Sequence, residues 1–182
     1  MEELEWGTPT PIPRGQEPFC RFIGPAFRHL KIARGPHLPS LLEAKSPWAL
    51  TTLEVAVADE LELTALDAKL PTLFPALETL SLRNVNGAWF RKVKNLGALG
   101  TLVVRGAPMK VADGWDVFKA LPVKTFAIST GESFWRFSRG ASGTFSKLRV
   151  ELADQENSLR HEEYARTLPT GFLESFELVT GK

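Results

Sequence analysis

Apolar residues recur along this chain in triads spaced 1-4-6, with polar residues between them. The segment 77–83 shows the frame: Leu77, Leu80 and Leu82 are apolar, while Thr79, Ser81 and Arg83 are polar. The same spacing returns as Phe27/Leu30/Ile32, Leu50/Leu53/Val55, Leu99/Leu102/Val104, Val123/Phe126/Ile128, Phe145/Leu148/Val150 and Leu173/Phe176/Leu178. The middle anchors, from Leu30 to Phe176, are 23, 27, 22, 24, 22 and 28 residues apart. Successive side chains of a strand point to opposite faces, so positions 4 and 6 turn inward and positions 3, 5 and 7 outward. The pattern predicts one strand per triad, and between the strands there is room for short return segments.

Helices are expected over Pro39–Lys45, Leu63–Phe74, Ala88–Asn95, Trp115–Leu121 and Ser158–Leu168. Asp67, Asp116 and Glu162 would place acid in first turns, as the helix dipole favours. Pro36, Pro39, Pro47, Pro71, Pro75, Pro108, Pro122 and Pro169 are expected between elements, where they end helices without breaking strand ladders. A unit of this size cannot bury its own apolar side, so stability must come from stacked neighbours.

The frame Leu77-x-x-Leu80-x-Leu82-x-Asn84 resembles the leucine-rich repeat family, whose unit spans about 20–29 residues. The resemblance covers the chain from about Phe27 onward. Asn84 alone matches the family's Asn; Arg34, Val57, Gly106, Thr130, Leu152 and Thr180 stand in the corresponding places. The resemblance implies an α/β solenoid of about seven repeats, right-handed, with a curved parallel sheet and short helices on the convex side. It implies recognition of another protein on the concave face.

This reading divides the chain at residue 27. Residues 27–182 form the repeat domain. Residues 1–26, rich in Pro and lacking the strand frame, form an N-terminal cap anchored by Trp6, Phe19 and Phe22, or a flexible tail. The last strand finishes close to Lys182, which leaves an open edge for pairing with a second copy, although Glu174 and Glu177 oppose promiscuous association.

The outward face follows from the frame. Its third positions include Thr52, Thr79, Thr101 and Thr125, a ladder of hydroxyls, then Lys147. Ser81, Val103 and Ala127 at fifth positions offer a centre of small side chains to which a partner can come close. Arg83, Arg105, Lys124 and Arg149 border it. The plain alternative is that Thr, Ser and Ala merely fill an unselected sheet surface.

Composition narrows the picture. At 182 residues the chain fits one domain. Its 22 Lys+Arg against 21 Asp+Glu give no global attraction to nucleic acid or membrane. Locally the balance differs: residues 83–149 carry 12 basic against 3 acidic side chains, while residues 51–82 carry 6 acidic side chains against Lys69. Stacking would turn these blocks into surface bands, and a basic band steers acidic partners. A single cysteine, Cys20, excludes an internal disulfide and any Cys-based zinc cluster. An acidic start without an apolar run suggests no secretion signal, so a soluble, cytoplasmic protein is expected.

The segment 134–139, FWRFSR, holds more large apolar groups than one helical face can bury. It therefore nominates Trp135 as an exposed aromatic anchor. Catalytic patterns are missing: His161 lacks a second His at position 165, segment 140–144 (GASGT) lacks the Gly-Lys-Ser/Thr of a phosphate loop, and no G-x-S-x-G elbow occurs. The expectation is a non-enzymatic protein-binding module without cofactor, such as an immunity-type inhibitor or adaptor facing an acidic partner. The alternative is a nucleic-acid or phosphate-ligand binder using residues 83–149.

Overall fold

A computed structural model describes residues 3–6, 28–32, 37–96, 99–106, 118, 121–129, 133–152 and 174–180. It is an α/β structure built on one nine-stranded sheet in which spatial order equals chain order. The strands are β1 (Glu3–Trp6), β2 (His29–Ile32), β3 (Thr52–Ala56), β4 (Thr79–Arg83), β5 (Thr101–Arg105), β6 (Thr125–Ser129), β7 (Ser133–Arg139), β8 (Phe145–Leu152) and β9 (Ser175–Thr180). From β1 to β6 every neighbouring pair is parallel; β6–β7 and β7–β8 are antiparallel; β8–β9 is parallel again.

The strand positions reproduce the triads, and the register joins them. One row runs through Leu4, Leu30, Leu53, Leu80, Leu102, Phe126, Phe137, Leu148 and Phe176. A second, two residues along, runs from Trp6 through Ile32, Val55, Leu82, Val104, Ile128, Trp135 and Val150 to Leu178. From β3 to β8 every member of both rows is at most 2% exposed. The alternation inward–outward is therefore kept from β3 to β8, as strand geometry requires.

Two strands correct the expectation. β1 lies within residues 1–26, where the triad frame predicts no strand; its alternation Glu3-Leu4-Glu5-Trp6 is the period-2 signal, compressed into four residues. Phe19 and Phe22 lie outside the described residues. β7 comes between β6 and β8, so Phe126 and Leu148 are not neighbours; Phe137 stands between them. An antiparallel neighbour can follow after a short turn, whereas a parallel one needs a long crossover. Segment 140–144 is the second turn of this insertion, with Gly143 at φ +77°, a backbone conformation that favours glycine.

Return segments close the other side of the core. The first is α1 (His37–Leu42), with Pro39 in its opening turn, where a missing N–H costs nothing. The second is α2 (Glu60–Leu73), which presents Leu63, Leu66, Leu70 and Leu73 inward at helical spacing. A 3-10 helix, Gly87–Lys92, buries Phe90. The helix expected over Trp115–Leu121 falls mostly outside the described residues, though Phe118 is buried and stacks on Phe126 at 4.4 Å between centroids. The helix expected over Ser158–Leu168 lies wholly outside them.

α2 begins earlier than the apolar pattern suggested, and Asp67 is not a first-turn residue. Asp59 caps the helix by accepting from the Glu62 N–H at 2.9 Å, while Glu62 accepts from the Ala58 N–H at 2.8 Å. Asp67 instead sits mid-helix and buried, 4% exposed. Its carboxylate accepts from the backbone N–H groups of Lys94, Asn95 and Leu96 at 2.8–3.0 Å. Pro71, expected between elements, lies in the last turn of α2 and has no N–H to give the Asp67 carbonyl four residues back. The Asn95 side-chain amide donates to that carbonyl at 3.1 Å, so the helix and the following return segment are pinned together at the place the proline leaves unsatisfied.

Candidate functional site

The outward face consists of three rows set by the same register. The Thr row aligns Thr52, Thr79, Thr101 and Thr125 as direct neighbours, all partly exposed. β-Branched side chains suit this pleated position, and their hydroxyls keep the row polar. Lys124, just before β6, and Lys147 on β8 are exposed beside it.

The middle row runs Glu54, Ser81, Val103, Ala127, Arg136, Arg149, Glu177. Its small residues do not form the open centre expected of them. Ser81, Val103 and Ala127 are 4%, 9% and 0% exposed. Val103 and Ala127 are buried yet stand apart from the continuous apolar core, as their outward parity requires. Arg105 reaches over the row, and its Nε donates to Ser81 Oγ at 2.9 Å. Short side chains between long ones are sheltered rather than displayed, so these three residues cannot serve as a docking floor.

The third row, Ala56, Arg83, Arg105, Ser129, Phe134, Glu151 and Val179, carries the ionic chemistry. Arg83 donates through Nε to Glu54 Oε1 at 2.7 Å and through its terminal nitrogen to the same oxygen. Arg105 pairs with Glu54 Oε2 at 3.1 Å. Two guanidinium groups from adjacent strands thus share one carboxylate, whose side chain is only 12% exposed while theirs are 37% and 41% exposed. The pairing fixes their direction and leaves the trio with a net charge of one positive unit. Farther along, Arg149 bonds Glu151 at 3.0 Å and Glu177 at 3.2 Å, in the open. The expected basic band is therefore interleaved with carboxylates: Glu54 from the acidic block 51–82, and Glu151 and Glu177 from beyond the basic one.

Trp135 is 0% exposed and cannot be a surface anchor. In a strand the alternation of FWRFSR sends Trp135 and Phe137 inward and Phe134 and Arg136 outward, which resolves the crowding a helix would have suffered. The indole N–H donates to Ser133 Oγ at 2.9 Å. The outward aromatic is Phe134, partly exposed, with the Arg136 guanidinium 5.5 Å from its ring centre. Arg139 holds the insertion in place: it donates to the carbonyls of Leu121 and Val123 at 2.6 and 2.9 Å and stacks over Phe145 at 4.4 Å.

Asn84 is exposed with φ +62° just beyond β4, so its contribution is a left-handed turn, which Asn tolerates better than most residues. Among the described residues no three His, Cys, Asp or Glu side chains gather as a metal site, and no helix is long and apolar enough to cross a membrane. Cys20 and His161 lie outside the described residues. Comparison of the chain with protein-family models, curated proteins and solved structures finds no match.

Proposed function

We propose that the protein is a non-catalytic recognition module of leucine-rich-repeat type, which docks an acidic partner protein on the outward face of its sheet. An immunity-type inhibitor or an adaptor is the concrete form. The observation that carries the reading is the Arg83–Glu54–Arg105 bridge beside the Thr row. It presents two half-exposed cations whose side chains are already held in place, so less freedom is lost when a carboxylate approaches. The parallel order of β2 to β6 and the spacing of their anchors support the repeat architecture; the β7 insertion and the turn role of Asn84 are departures from the family's regular form.

The contact residues in this reading are Thr52, Thr79, Thr101, Thr125, Arg83, Arg105, Lys124, Lys147 and Arg149, without the sheltered Ser81, Val103 and Ala127. The test is affinity capture of the partner from the native host, followed by binding measurements with Arg83, Arg105 and Arg149 all changed to Glu. A loss of about 100-fold or more is expected, since each cation facing a carboxylate is turned into a repulsion. Unchanged binding removes the proposal. Phosphate recognition by the same cations is the competing reading. Its signature would be affinity falling steeply with salt.

A further inference from the structure

The two apolar rows lose their cover at one end of the sheet. Leu148 on β8 is 2% exposed, but its register neighbour on β9, Phe176, is 39% exposed. Phe176 is an inward residue by position, in line with seven buried members of the same row from Leu30 to Leu148, and it is one of only two large apolar side chains exposed among the described residues. Leu178, the end of the second row, is only partly buried against the core. Among the described residues no strand pairs with the far side of β9. Among the described residues its outer N–H and C=O groups therefore meet no strand, the condition under which an edge can accept another chain.

The face of β9 away from the core states what that strand should carry. Between Phe176 and Leu178 stands Glu177, whose side chain remains 59% exposed although Arg149 reaches it. The middle row reads Arg136, Arg149, Glu177 across the last three strands, so the next position along it faces an anion. A second copy pairing antiparallel with Phe176 opposite Leu178 would set Glu177 against Glu177, which is unfavourable.

We infer that the β9 edge is a strand-addition site for a partner segment of the pattern apolar–basic–apolar. The two apolar side chains extend the rows ended by Phe176 and Leu178, and the Lys or Arg between them lies beside Glu177. The triad reads the same in both directions, so recognition does not depend on strand polarity. Main-chain bonds supply attachment and the alternate side chains supply selectivity. This site shares the Arg149–Glu177 pair with the outward face but does not rest on the role proposed there.

The experiment uses the full chain and three short peptides in calorimetry: acetyl-Thr-Val-Lys-Val-Arg-Val-Thr-amide, the same peptide with Glu for Lys and Arg, and the basic peptide N-methylated at alternate residues. The basic peptide should bind about fivefold or more tightly than the acidic one. N-methylation should abolish binding, because it removes the bonds of the added strand. Glu177→Lys, a surface change, should invert the preference, and Phe176→Ala should weaken both. Equal binding of the N-methylated peptide, no binding of the basic one, or an uninverted preference in Glu177→Lys overturns the inference. So does a stable dimer of the unliganded chain that Phe176→Ala dissolves, since a second copy then owns the edge.

Discussion

The stretch from β2 to β6 and the stretch from β6 to β8 build the same two apolar rows by opposite means. In the first, each strand is parallel to the last, and a return segment such as α2 or the 3-10 helix crosses the core between them. In the second, β7 runs antiparallel between β6 and β8 with only short connections on both sides. Yet Phe137 continues the row of Leu102 and Phe126, and Trp135 continues that of Val104 and Ile128. An alternating strand presents the same inward face when its direction is reversed. The difference teaches that row continuity, rather than chain direction, is what the core demands.

The sharpest way to break this comparison is to remove one large side chain from each stretch. Trp135→Ala should destabilise by about 3–5 kcal/mol and Leu80→Ala by about 2–5 kcal/mol in denaturant unfolding, because both are fully buried. A cost below about 1 kcal/mol at Trp135 would mean that β7 is an appendage to the core rather than a member of it.

That contrast also marks how far the sequence could be read. The triads at Leu53, Leu80 and Leu102 were legible because the 1-4-6 spacing needs only local alternation and regular return lengths. Their pairing in register follows from the same pattern. β7 escaped because a search for evenly spaced triads passes over a strand inserted between two of them, although Trp135/Phe137 alternating with Arg136/Ser138 is a strand signature. The ionic site was legible only as charge blocks. Glu54 lies 29 residues before Arg83 and belongs to an acidic stretch, so nothing local announces that the register sets it across from Ser81, within reach of two arginines from the adjoining row. The burial of Ser81, over which Arg105 reaches, and of Val103 and Ala127 depends on neighbouring side chains, which composition cannot show.

Asp67 sharpens the account of the parallel stretch, where return segments must be tied to each other. Asp67→Ala should cost roughly 2–3 kcal/mol, since it strands the buried N–H of Leu96 and the part-buried N–H of Asn95 without an acceptor. Hydrogen exchange should then rise at Lys94, Asn95 and Leu96 ahead of the strands. Unchanged protection there would show that the sheet alone fixes the return.

The two ionic clusters give a smaller contrast. Glu54→Gln removes the carboxylate shared by Arg83 and Arg105, and about 1 kcal/mol of stability should go with it, because the partners are half-exposed and solvent screens the pair. Glu151→Gln, in the open beside Arg149, should cost about 0–0.5 kcal/mol. Denaturant midpoints at low and high salt separate them: the Glu54 effect should shrink with salt, and the Glu151 effect should be hard to measure at either. Equal costs would argue that the shared carboxylate is no more preorganised than a surface pair.

The smallest effect on stability is expected in the Thr row beside the bridge. Thr79 and Thr101 face each other in the Thr row, partly exposed, with no side-chain partner that the fold depends on for burial. Thr101→Val keeps the β-branched shape and strand propensity and exchanges a hydroxyl for a methyl group. Unfolding free energy should therefore move by no more than about 0.5 kcal/mol. If the row is a contact surface, affinity for a captured partner should fall in this variant while stability stays put, because a buried donor or acceptor on the partner loses its match. A variant that alters stability by more than about 1 kcal/mol and leaves affinity intact would place the threonines in the service of the sheet. The outward face would then have to act through its arginines alone.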